Sequence, residues 1–350
     1  MKLEVLDRLI ELPYRFLPSA HARAAPWDVS RAELSRVGIT WPMTYQWPPA
    51  AAFTDTIKRA FSRLDLLEVA ALKQTHRGVV RILVTLDDKV YAVMVDYADN
   101  ADGINEDALA QCSLYFKFQY RVRGYSDPRI IPGGYSVSSE HYYRYHGPLR
   151  RRYEGRASIG VLGRFGYKFH GELRAKAVDI LSGARDVHFV GAGKRVRYSR
   201  FLRDVASARL SLDLPGNGPF TFRVPEFLGL GTCLISPRYA TSLHVPLIPG
   251  VHYVAIEDDL GDLLEKCRYY LAHEEERARI ARAGRDYFDR YLHRDHLATY
   301  YLRAMLDRLG SRGESSELGD RARLYDDRRI AIPKADARDG VAQRSIGREG

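Results

Sequence analysis

The stretch Ser211–Pro237, SLDLPGNGPFTFRVPEFLGLGTCLISP, constrains the fold more than any other part of this 350-residue chain. It reads in order as a strand end, a glycine-rich turn, a short helix and a second strand. Leu210, Leu212 and Leu214 alternate with polar residues, as a strand entering a loop does. Gly216, Asn217, Gly218 and Pro219 supply a turn able to reach backbone conformations that other residues avoid. The apolar run Phe222–Leu230 then fits a helix closed by Gly229 and Gly231, and Cys233–Ile235 opens a buried strand.

Two charges mark the start of that helix. Arg223 falls in its first turn and Glu226 one turn on, so they share a face. A helix N-terminus offers unpaired N–H groups and the positive end of the dipole, which suits a phosphate. Arg223 adds a planar, permanently charged fork for diphosphate oxygens. Glu226 cannot bind phosphate but can accept hydrogen bonds from sugar hydroxyls. Diphosphate beside sugar hydroxyls describes a nucleotide-sugar.

The length predicts two domains. Residues 1–135 read as a small first domain, 136–157 as a solvated interdomain linker rich in Tyr, Arg and His, 158–310 as a second domain, and 311–350 as a polar, disordered tail. Leu3–Ile10 suggests a short amphipathic helix. Trp27, Trp41 and Trp47 follow among prolines, read either as packing against the first domain or as a surface facing an acceptor or a membrane. Phe53–Leu72 has a helical pattern, and Val79–Thr85 and Val90–Val95 are strands joined by a hairpin turn at Leu86-Asp87-Asp88-Lys89. Asp96, Asp99 and Asp102 follow the second of these strands, where open α/β sheets place their ligands. In the second domain the order strand, glycine-bearing loop, helix, strand repeats from Ala157 to Ala208, without the dinucleotide GxGxxG spacing. No apolar run approaches the ~20 residues of a membrane span, and the first residues lack a signal-peptide core, so a cytoplasmic protein is expected. The three cysteines lack metal-ligand spacing.

The segment RVPEFLGLGTCLIS resembles the donor-site signature of GT-B glycosyltransferases, in which an acidic residue opens a helix that ends in a small-residue turn before a buried strand. The resemblance runs on through PLIPGVHYVAIEDDLGDLLEKCRYYLAHEEERARIARAGRDYFDRYLHRDH and covers about Ser158–Leu309, with a C-terminal domain similar to the bacterial-type "glycosyltransferases group 1" proteins. It implies an α/β fold of GT-B type: two Rossmann-like domains face a cleft, and the C-terminal helix crosses back to the first. It also implies a loop Gly163-Arg164-x-x-x-Lys168 that grips the donor's phosphates.

On that resemblance the chemistry expected is transfer of a sugar from a nucleotide-diphosphate-sugar to an acceptor hydroxyl, with no cofactor and no metal. Arg164, Lys168, Arg223 and the amides around Gly216–Thr221, Gly218 and Thr221 among them, hold the leaving diphosphate, and Glu226 holds the sugar. Asp96 and Asp99 are the base candidates, Asp99 favoured, against a plain role in turn formation or helix capping. Many retaining members carry a second glutamate eight positions before the one aligned with Glu226. Here that position is Gly218, which leaves retention or inversion open. The net charge of +10 fits a solvated surface, an anionic donor, or an anionic membrane face carrying a lipid-linked acceptor. No nucleic-acid-binding motif is present to favour a nucleic-acid-modifying transferase. A catalytically inactive GT-B scaffold is the other alternative.

Overall fold

Two sheets organise residues 29–191 and 196–310, the residues that the computed structural model describes. The expected helix at Leu3–Ile10, Trp27, part of the Gly191–Gly193 turn and the expected disordered tail lie outside them.

The first sheet is built from β1 (Val37–Pro42), β2 (Leu67–Ala70), β3 (Val79–Leu86), β4 (Lys89–Asp96), β5 (Leu114–Lys117) and β7 (Ile130–Pro132), with β6 (Tyr120–Arg121) outside it. Its order is β2-β1-β3-β4-β5-β7. β3 runs antiparallel to both β1 and β4, whereas β4, β5 and β7 are parallel. The hairpin between β3 and β4 forms where the sequence predicts it. Asp87 (φ 49°) and Asp88 (φ 63°) are both left-handed, as the tightest hairpin turn requires, and aspartate tolerates that region better than most residues. The sheet's helices are α1 (Arg31–Leu34), α2 (Ala51–Arg63) and α3 (Glu106–Ala110). The helix expected over Phe53–Leu72 therefore stops nine residues early. Asp65 is left-handed (φ 54°), which no helix continues through, and Leu67–Ala70 pairs with β1 as a strand.

The stretch 136–157 is not a solvated linker. It contains α4 (Glu140–Tyr153), with Tyr142, Tyr143, Tyr145, His146 and Leu149 buried. Tyr142 packs edge-on to Phe288 at 5.7 Å and stacks on His146 at 5.1 Å. Arg150 makes a two-pronged pair with Asp289 at 2.9 and 2.8 Å.

The second sheet is wholly parallel. It comprises β8 (Ile159–Gly163), β9 (Phe189–Gly191), β10 (Ala208–Leu212), β11 (Cys233–Pro237) and β13 (Val254–Ile256), in the order β13-β11-β10-β8-β9. Around it lie α5 (Gly171–Gly183), α6 (Tyr198–Ala206), α7 (Val224–Leu230), α8 (Leu263–Ala272) and α9 (Glu274–Tyr287). Strands β8 and β11 are buried on both faces, so they read as continuous apolar runs rather than alternating ones. Leu210, Leu212, Ile235, Leu263 and Ile280 share the core beneath.

Helix α10 (Arg294–Gly310) returns to the first sheet, as expected. Tyr301 stacks on Phe116 with centroids 3.8 Å apart, the Tyr300 hydroxyl donates to the Pro132 carbonyl (2.6 Å), and Arg303 pairs with Glu33 at 2.9 Å. A small ribbon, β6 with β12 (Thr241–Ser242), joins the two halves by backbone pairing.

Candidate active site

In the second sheet the chain leaves β8 for β9 on one side and then crosses back to β10 on the other. The loops after β8 and β10 therefore part, and such a point is where open α/β sheets hold ligands. Both loops are tied to Arg174, a residue that the sequence reading missed, in the first turn of α5. It is 4% exposed. Its Nη1 donates to the Gly166 carbonyl (2.6 Å) and its Nη2 to the carbonyls of Leu214 (3.1 Å) and Pro215 (2.6 Å). Its Nε is buried with no partner among the described residues. Asp213 was missed as well. It is buried at the end of β10 and accepts from the hydroxyls of Thr221 (2.6 Å) and Tyr239 (3.3 Å). Burial pushes its carboxyl up to about 6, against the pull of Thr221, Arg223 and Arg174.

Thr221, Arg223 and Glu226 lie at the start of α7, which begins at Val224 rather than Phe222, so Arg223 is its N-cap and not a residue of its first turn. The Thr221 side-chain oxygen accepts from the Arg223 N–H (3.3 Å) and its carbonyl from the Val224 N–H (3.2 Å), which fixes the entry to α7. The Arg223 guanidinium lies 5.0 Å from the Phe222 ring, and among the described residues no carboxylate pairs with it. Glu226 is 3% exposed. Its Oε1 accepts from the Tyr198 hydroxyl at 2.6 Å, while its Oε2 is buried and unpartnered among the described residues. Burial raises this carboxyl to about 7, with Tyr198 and Arg223 pulling it back. Among the described residues, Glu226 Oε2 and Arg174 Nε are thus buried without a partner near the Arg223 guanidinium, whose charge acts on both side chains.

A family model described as glycosyl transferase-like matches residues 161–307, from β8 to α10. The match takes in the second sheet and its helices and covers less than half of the chain. α10 ends this region by crossing back to the first sheet. Protein O-glucosyltransferase 2 of Danio rerio is 38% identical over 63 residues, which are 18% of this chain and 13% of that protein. The chain thus matches only a small part of that relative's length. Among solved structures, a glycosyltransferase from Rickettsia africae ESF-5 is similar at 9% identity over 52% of this chain and 58% of its own, with a TM-score of 0.37. Anabaena Alr3699/HepE in complex with UDP-glucose is similar at 13% identity over 58% and 68%, with a TM-score of 0.34.

The rest of the expected donor set is placed differently around this domain. Arg164 pairs with Asp204 (Nη2 to Oδ2, 2.8 Å), and Arg200 takes the other oxygen of that carboxylate at 2.8 Å. No local pattern signals a partner forty residues away, and Arg164 is engaged rather than free. Lys168 is exposed, with its ammonium 5.2 Å from the Phe169 ring. The amides of Gly216, Phe220, Arg223 and Val224 are already bonded within the protein. Gly218 lies against the first half of the chain. A Cβ there would stand 2.4 Å from Gln119 Nε2 and 2.8 Å from the Asp99 carbonyl, so no side chain fits, and a glutamate least of all.

Across the crevice, the two aspartates separate. Asp96 is buried and bonded to Lys117 Nζ (2.9 Å), the Tyr115 hydroxyl (2.6 Å) and the Ala98 N–H (2.8 Å). Burial raises its carboxyl while those donors pull it down. Buried and held by three donors, it is placed as a structural carboxylate of the first sheet rather than at the surface where a base is needed. Asp99 is exposed and its Oδ2 accepts from Asn217 Nδ2 at 3.3 Å, so it faces the loop after β10. Gln119 fastens the same loop: its Nε2 donates to the Phe220 carbonyl (2.9 Å) and its Oε1 accepts from the Phe220 N–H (3.2 Å). Among the described residues no group of three His, Cys, Asp or Glu could hold a metal ion, and no helix is long and apolar enough to cross a membrane.

Proposed function

We propose that this chain is a glycosyltransferase that moves a sugar from a nucleotide-diphosphate-sugar to an acceptor hydroxyl without a divalent metal. The observation that carries the reading is the pairing, at the sheet's switch point, of an unbonded buried carboxylate oxygen on Glu226 with the unpaired guanidinium of Arg223. A diphosphate needs fixed positive charge as its bond to the sugar breaks, and a sugar needs acceptors for its hydroxyls. Arg223 and the Arg174 Nε meet the growing charge on the leaving diphosphate, and Lys168 reaches it from the exposed loop. Glu226 Oε2 accepts from a sugar hydroxyl. Asp99, on the opposite lip, takes the acceptor's proton as the new bond forms. That role suits inversion, since position 218 has no room for the second glutamate of retaining relatives. A glycan or lipid-linked precursor at a cytoplasmic membrane face, reached by the basic surface, belongs to the same proposal.

The test is a thermal-shift panel of nucleotide diphosphates and nucleotide-sugars, with and without EDTA. A ligand at 100 times its dissociation constant stabilises the fold by about 2.7 kcal/mol. A shift with one nucleotide family that EDTA leaves unchanged is expected. Stabilisation without turnover on any acceptor would leave a donor-binding module, and no shift at all would sink the reading.

A further inference from the structure

Of the tryptophans among the prolines, Trp41 is buried and packs on Phe61, whereas Trp47 is 43% exposed. Trp47, Phe53 and Tyr97 form a cluster of near-parallel rings. The centroids lie 6.4 Å (Trp47–Phe53), 6.0 Å (Trp47–Tyr97) and 6.0 Å (Phe53–Tyr97) apart, with interplanar angles of 15°, 8° and 7°. Pro48 and Pro49 follow Trp47 directly and open a short 3-10 turn, which restricts the backbone that carries the indole. The position is telling. β1 and β4 both run antiparallel to β3, so their C-terminal ends share one edge of the sheet. Trp47 follows β1, and Tyr97 follows β4 two residues before Asp99, whose carboxylate faces the donor-side loop.

We propose that the Trp47–Phe53–Tyr97 cluster is an acceptor subsite that takes the apolar face of a pyranose ring. The inference rests on the glycosyl-transfer reading for its place in the reaction, but the binding itself does not need it. A pyranose has one face of C–H groups that packs on aromatic rings and a rim of hydroxyls that needs polar neighbours. Trp47 supplies the first as the exposed ring, backed by half-buried Phe53 and buried Tyr97. Exposed Gln46, Asp99 and Asn100, adjacent in the chain to Trp47 and Tyr97, supply the second. A lipid-facing patch would carry cations around its apolar centre. Here the loop after β4 carries exposed Asp99 and Asp102, the latter beside Arg121 and Arg123, while Arg77 lies near Tyr97, so the charges are of both signs rather than a ring of cations.

The probes are methyl glucoside, methyl galactoside and methyl N-acetylglucosaminide at high millimolar concentration. The readout is iodide quenching of tryptophan emission in the full chain. At least one sugar should shield Trp47 from iodide, and the shielded signal should vanish in Trp47→Phe, which assigns it. Phe53→Leu keeps the reporter and the volume but removes one ring. It should weaken the sugar's apparent affinity roughly two- to tenfold, with the melting transition retained. No shielding by any of the three sugars, shielding that Phe53→Leu leaves undiminished, or Trp47 already shielded before sugar is added would each overturn the proposal. A nucleotide thermal shift run in parallel separates the two readings. Sugar shielding without any nucleotide effect sinks transfer and keeps the platform, and a nucleotide effect without shielding does the reverse.

Discussion

At the scale of single residues, Asp96 ends β4 and Asp99 lies three residues on in the loop after it, yet they differ in what they can do, because one is bonded to Lys117, Tyr115 and the Ala98 N–H inside the first sheet while the other keeps its carboxylate at the surface. Asp96→Asn strands a buried lysine, so it should cost about 3–5 kcal/mol in urea denaturation. Asp99→Asn should leave the denaturation curve where it is and lower turnover by about 10²–10⁴-fold, the range of general-base catalysis. If Asp99→Asn retains full turnover, the base lies elsewhere. Glu226 gives a pH signature. Its folded-state value of about 7 lies above the ordinary 4.5, so its contribution to stability is fully present below pH 4.5 and is lost as pH rises through 7. Glu226→Gln removes that loss. Its stability relative to the parent should therefore rise by about 3 kcal/mol between pH 4.5 and 7.5. Equal pH slopes in the two proteins would mean the carboxyl is ionised throughout. Arg223→Ala should weaken nucleotide-sugar binding by about ten- to a hundredfold, the size of a lost charge-assisted hydrogen bond. Its ligand-free melting point should hold, and a large drop there would make Arg223 a structural residue.

Elements were legible in the sequence where their periodicity is local. The β3–β4 hairpin shows in its paired aspartates, and α7 and α10 show in their apolar spacing. α4 was overlooked because Tyr, Arg and His dominate it and Pro148 interrupts it. Its buried face, Tyr142, His146 and Leu149, nevertheless keeps helical spacing and is the signal that could have found it. β1 was obscured by the Trp- and Pro-rich surroundings. The donor loop was legible as a turn, but the partners that decide its chemistry were not. Arg174 reaches it from 40 residues upstream, Gln119 from 101 upstream, and Asp204 captures Arg164 across 40, none of which any local pattern encodes. That loop carries a prediction of its own. Gly218→Ala must push the loop off the Asp99 carbonyl, because the backbone at 2.8 Å cannot yield as a side-chain tip would. The expected result is faster hydrogen exchange over residues 216–221 and weaker donor binding. Unchanged exchange would show that the loop finds room.

For the molecule as a whole, the order of strands in the second sheet fixes where the crevice opens, and α4, α10 and the β6–β12 ribbon fix what stands opposite it. The ribbon has a mechanical consequence. Two halves that touch only through side chains can swing apart about a flexible joint, but here main-chain hydrogen bonds between Tyr120-Arg121 and Thr241-Ser242 rivet them at a point distant in sequence from the helical joint at α4 and from the return of α10. The starts of α4 and α10 are themselves paired through Glu140 and Arg294, so the ribbon is a second tie that restricts such a swing more than one joint would. If the chain transfers a sugar as proposed, admission of a donor and escape of a spent nucleotide would then fall more to the loops at the lip than to the swing of a domain.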